Sequence, residues 1–161
     1  MTPLTQSDLA YVAGVVDTLG VLRTRQVGDT RLTMLAVHSP NLPLLGYLAG
    51  LCGTKVTTVK RGYDRAGCSE HCPDRHQHIT SVSGRWSVTG AKATVVLAAV
   101  RPYLRLQGYA CDQVLAAAAR APSKPATWEH MASLGWPVPD LDALSNELSR
   151  PDAIAGSRVL A

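Results

Sequence analysis

Leu9-Ala10-Tyr11-Val12-Ala13-Gly14-Val15-Val16-Asp17-Thr18-Leu19-Gly20 is the stretch on which the fold of this chain turns. Leu9, Val12, Ala13 and Val16 recur at helical spacing, so the segment reads as an amphipathic helix. Upstream, Thr5 and Asp8 offer a hydroxyl cap and a carboxylate at the positive helix end, and Gly20 marks the stop. The chain then changes period. Val21 to Gln26 and Arg31 to His38 alternate apolar with polar residues on either side of Gly28-Asp29, which predicts a hairpin. Ser39-Pro40-Asn41 breaks the second strand, and Leu42 to Cys52 reads as an apolar helix closed by Gly53. Lys55 to Tyr63 and Ile79 to Val88 are a third and fourth strand, joined through a loop rich in Cys and His. Ala91 to Val100 and Gln107 to Arg120 are two further helices, separated by Arg101-Pro102.

This order predicts an α+β fold over residues 1–120: an αββαββα unit whose four strands form one antiparallel sheet. Ala121-Pro122-Ser123-Lys124-Pro125 reads as a linker, and residues 121–161 as a tail with a short amphipathic helix over Leu141 to Leu148. No internal repeat is present, so a symmetric assembly requires a second chain.

Charge follows position. Residues 1–120 carry 13 Lys+Arg against 7 Asp+Glu, whereas residues 121–161 carry 3 against 5. The overall +4 is therefore concentrated in the first three quarters, and Arg outnumbers Lys there. Guanidinium groups bind phosphate and guanine in bidentate fashion, so the skew suits a nucleic-acid surface. No apolar run is long enough to span a bilayer, and Met1 to Gln6 lacks the basic and apolar regions of a signal peptide, so a cytoplasmic protein without a membrane partner is expected.

The Leu9–Gly20 helix resembles the motif helix of the LAGLIDADG homing endonucleases. Trp86-Ser87-Val88-Thr89-Gly90, and Pro102-Tyr103-Leu104 followed by Arg105-Leu106-Gln107, resemble that family's closing strand and its Pro-Tyr-Leu segment. Together with the element order, the resemblance covers about residues 5 to 120. One motif per chain implies a homodimer and a pseudo-palindromic duplex DNA target. The small residues Ala13 and Gly14 are implied at the dimer interface, where helix backbones cross closely. The sheet is implied to form a saddle lying in the major groove. On that basis Arg23 and Arg25 of the first strand, Arg31 and Thr33 of the second, Lys55, Thr57, Lys60 and Arg61 of the third, and Arg85 and Ser87 of the fourth are the candidate DNA contacts. Trp86 and Val88 then point into the core.

The family cleaves with a carboxylate at the eighth motif position and a basic residue after the Pro-Tyr-Leu segment. Here those positions hold Leu19 and Gln107. Leu offers no oxygen to a hard cation such as Mg²⁺, so the resemblance implies binding with cleavage lost. Asp17, at the sixth position, or Asp29 of the hairpin turn is the acid left to an active enzyme, which would then need Mg²⁺ or Mn²⁺. A non-catalytic protein-interaction module using the sheet face is the other class of reading.

The loop over residues 64–78 holds Cys68, Cys72, His76 and His78, a Cys2His2 set fitted to structural zinc, with His71 as a possible substitute ligand. The spacing differs from that of common zinc fingers. Cys52 and Cys111 are expected to be buried core thiols.

Overall fold

The computed structural model describes residues 3–27, 30–64, 77–118 and 125–148. Helix α1 (Gln6–Leu19) begins where its cap is written. The Asp8 backbone N–H donates to Thr5 Oγ1 at 3.2 Å, and the Thr5 N–H donates back to the Asp8 carboxylate at 2.8 Å. The Thr5 hydroxyl also donates to that carboxylate, at 2.7 Å, and is the main reason why the Asp8 carboxyl lies below its ordinary range. One face of the helix, carrying Leu9, Val12, Ala13, Val15 and Val16, is buried.

Strands β1 (Gly20–Val27), β2 (Thr30–Ser39), β3 (Val56–Asp64) and β4 (Gln77–Thr89) form one antiparallel sheet in the order β1-β2-β4-β3. The register runs Leu22 opposite Leu35, Val37 opposite Trp86, and Val56 opposite Trp86 on its other side. Helix α2 (Leu42–Leu51) connects the two hairpins. Asn41 Oδ1 caps it by accepting the Leu44 N–H, and Pro43 lies in its first turn, where a missing N–H costs nothing. Helix α2 presses so closely on β4 that a Cβ on Gly84 would come within 2.8 Å of Leu42 Cδ2. A larger residue there would require the ends of the Leu42 and Leu45 side chains to shift.

Helices α3 (Ala91–Val100) and α4 (Gly108–Ala118), with a 3-10 turn at Arg101–Tyr103 between them, complete the αββαββα order that the sequence predicts. Ala93 to Leu97 and Val100 of α3 are buried on all sides, the mark of a helix enclosed by others. Helices α1 to α4 all contact strands, and the strand residues turned toward them alternate strictly: Thr33, Leu35, Val37 and Ser39 in β2, and Gly84, Trp86 and Val88 in β4. Trp86 is fully enclosed, with its indole N–H donating to Thr54 Oγ1 at 2.9 Å.

Helix α5 (Pro125–Ser133) is absent from the sequence reading, which carries the Pro-rich linker through Pro125. Pro125 instead opens a helix, as proline does at the first position. Helix α6 (Leu141–Leu148) occupies its predicted span. Together these elements add Met131, Trp136, Leu144 and Leu148 to the same apolar cluster that α1 to α4 build. Trp136 Nε1 donates to Leu51 O at 2.8 Å, the Leu4 N–H donates to Gly135 O at 3.1 Å, and Arg101 bridges Asp112 of α4 and Glu147 of α6. No described helix is long and apolar enough to cross a membrane.

Cys52 and Cys111 are buried as expected, and burial pushes both thiols up to about 12. A thiol raised in the folded state contributes nothing to the pH dependence below its ordinary value of 9.0. Above it, the unfolded chain ionises first and stability falls. Two expectations follow: iodoacetamide at pH 8 leaves both residues unmodified in the native protein by mass spectrometry, and thermal melting shows an alkaline loss of stability that begins near pH 9.

Candidate nucleic-acid interface

Because the helices cover one face of the sheet, the opposite alternation defines an open one. Arg23 and Arg25 of β1 lie on it and are exposed, opposite Met34 and Leu32. Beyond Leu22 every described residue of β1 is exposed, so this end of the hairpin extends past the helical layer. Arg85 and Ser87 of β4 share the open face, as do Thr57 of β3 and Lys55 just before it, both exposed. Asp64, at the end of β3, is the sole acid in the four strands, which also carry Arg23, Arg25, Arg31, Lys60, Arg61 and Arg85. The side chains of Arg31, Lys60 and Arg61 lie outside the described ones.

Two of the sequence-based placements require correction. Thr33 shares the alternation of Leu35 and Val37, faces the helices and is 2% exposed, so it does not belong to the open face. The open positions of β2 are instead Met34, Ala36 and His38. In Leu32 to His38 apolar residues occupy both alternations, so the pattern alone did not fix which set turns inward, and a slip of one residue exchanges the faces. His38 is exposed and pairs directly with Arg85. Sequence reasoning missed it, although the inward placement of Trp86 and Val88, once paired with Val37 and Leu35, would have found it. The second correction concerns Ala13, which is fully buried in the core of its own chain. Gly14, one residue on, is exposed, and a Cβ there would meet no atom within 4 Å.

The end of α1 is the other part of the candidate site. Asp17 does not extend into solvent as a free acid. Its carboxylate accepts three backbone N–H groups, from Arg105 at 2.6 Å, Leu106 at 3.1 Å and Gln107 at 2.9 Å. Gln107 completes the exchange. Its side-chain amide donates to Val16 O at 2.7 Å, which also accepts the Gly20 N–H, and to Gly20 O at 2.9 Å. A Cβ on Gly20 would lie 2.9 Å from Val16 Cα, so the chain can leave α1 along this path only through glycine. Leu19, at the position where the resemblance places a catalytic acid, is 40% exposed, and Leu106 and Tyr109 beside the clasp are also exposed.

No protein-family model and no curated protein matches this chain. Among solved structures it is similar to an archaeal intron-encoded homing endonuclease complexed with DNA, at 10% sequence identity and a TM-score of 0.40, over 88% of this chain and 94% of that one.

Cys68, Cys72 and His76 lie outside the described residues, and of His78 only its backbone is described, in β4 opposite Tyr63. Among the described residues no group of three His, Cys, Asp or Glu is arranged to hold a metal ion.

The clasp predicts a coupled cost. Asp17→Ala is expected to destabilise the fold by about 2–3 kcal/mol and Gln107→Ala by about 1–2 kcal/mol in urea unfolding. The two side chains bond different backbone groups of one joint, between the end of α1 and residues 105–107. The double variant should therefore lose less than the sum, because either substitution already loosens that joint. Strict additivity would show that the two residues act separately.

Proposed function

We propose that this protein binds duplex DNA sequence-specifically as a homodimer, through the open face of its sheet, and that it does not cleave. The observation that carries the reading is the charge of that face: Arg23, Arg25, Arg85 and Lys55 stand on one side of a sheet whose strands hold a single acid, at one end. Such a surface suits a polyanion, and a two-stranded or wider β-surface fits the roughly 12 Å major groove. Gly14, exposed on α1 with open space before it, suits the close crossing of two copies of that helix. Two-fold symmetry then makes the target pseudo-palindromic.

Two features support binding without chemistry. Leu19 brings no metal-ligating oxygen to the helix end, and Asp17, the remaining acid there, is committed to three backbone N–H groups. Releasing it to hold Mg²⁺ would strip the Arg105–Gln107 segment of its acceptor. Structural zinc on Cys68, Cys72, His76 and His78 completes the proposal, with the metal stiffening the β3–β4 connection beside the DNA.

Selection from a random duplex library, followed by incubation of the winners with Mg²⁺ or Mn²⁺, tests this reading. Bound, uncut, pseudo-palindromic DNA is the expected product, with affinity falling steeply as salt rises. Cut DNA would restore an active nuclease, and binding of a protein partner with little salt dependence would replace DNA altogether. Arg23→Ala with Arg25→Ala should weaken specific binding by several kcal/mol, at about 1–3 kcal/mol for each good base contact. Metal analysis of the reduced protein should find about one zinc per chain, lost when Cys68 and Cys72 are both replaced by Ser.

A further inference from the structure

We propose that His38, Arg85 and Thr57 form the base-reading centre of the sheet, with Arg85 placed for the paired acceptors of a guanine. The inference rests on the DNA-binding reading above and narrows it to one row of residues. Arg85 stands in β4 on the open face, with His38 of β2 and Thr57 of β3 as its direct partners on either side. At about 4.8 Å between strands the row is roughly 10 Å long, which fits within the width of a major groove.

Arg85 is set apart from the other basic residues of this face by what surrounds it. Its guanidinium reaches along the sheet past Ala36 to the Met34 sulfur, 3.8 Å away, and Ala36 is buried although it lies on the open face. Arg85 Nε is buried and has no hydrogen-bond partner. A guanidinium carries five N–H donors in a rigid fork, and a thioether is a poor acceptor for any of them. Both described ion pairs belong to Arg101, so no described carboxylate answers this charge. With Nε closed off, a ligand can offer acceptors to this cation only at its terminal nitrogens. Guanine O6 and N7 supply two, side by side, in the geometry that the fork matches.

The Met34 contact also fixes the direction of Arg85, whose side chain leaves the row at His38 and extends along β2 toward Met34. Arg23 and Arg25 are exposed and must surrender rotamer freedom to bind, whereas Arg85 is already held against Met34. His38 can donate or accept toward a neighbouring base, and Thr57 brings a hydroxyl and a methyl group that suits the methyl of thymine.

The test repeats the duplex selection with the wild-type protein, Arg85→Lys and His38→Ala, and then measures each variant on the wild-type winner and on a scrambled duplex at two salt concentrations. Arg85→Lys keeps the charge and loses the fork, so its loss should fall on base preference rather than on salt dependence. The expected result is a drop of about 10–100-fold in preference for one G·C pair per half-site. His38→Ala, at an exposed position, should relax another position of the selected sequence. If wild type selects a sequence and both variants select it equally well, this inference is overturned and the DNA-binding reading stands. If wild type shows no salt-dependent duplex binding, both are overturned.

Discussion

Asp17 and Gln107 exchange hydrogen bonds across ninety residues of chain, and much of the geometry depends on that exchange. The end of α1 offers carbonyl oxygens, and the segment before α4 begins with N–H groups that need acceptors. One carboxylate and one side-chain amide satisfy both sets. The departure of β1 from α1 is fixed by the same contact, since Gly20 O is one of the carbonyls that Gln107 holds. The joint thus ties the exit of β1 from α1 to the segment that leads into α4. The end of the Leu9–Gly20 segment is, in this chain, a structural joint.

The sheet shows how one chain separates two incompatible environments. Trp86, Val88, Leu35 and Val37 turn inward against four helices, while Arg23, Arg25, His38 and Arg85 turn outward. Period-two alternation keeps the sets apart without any loop or insertion. Ala36 crosses the division: it is outward-facing and yet buried, on the strand along which the Arg85 side chain reaches Met34.

Most of the architecture was legible because its signals are local. Thr5 and Asp8 wrote the start of α1, Gly20 its end, and Trp86-Ser87-Val88 the facing of β4, and each held in the structure. The failures came where local pattern was silent. Strand β2 has apolar residues on both faces, so only its pairing with β4 could decide that Thr33 goes in and His38 out. Helix α5 has few apolar anchors beyond Trp128 and Met131 and follows a proline-rich stretch that reads as linker. Ala13 and Gly14 look alike as small residues, and only three-dimensional packing separates the buried one from the exposed one. The clasp itself was invisible, since no periodicity joins positions 17 and 107.

The contribution of Met131, Trp136, Leu144 and Leu148 to the central cluster has a kinetic side. On a ribosome, α1 and both hairpins emerge long before these side chains do. Until they arrive, the surfaces of α2, α3 and α4 that they cover remain wet, and Gly135 O has yet to receive the Leu4 N–H. Closure of the core is therefore a late event that joins the two ends of the described chain, with a loop-closure entropy set by more than a hundred intervening residues. A chain lacking Met131, Trp136, Leu144 and Leu148 would leave that part of the apolar cluster uncovered, and exposed apolar surface of this kind favours aggregation.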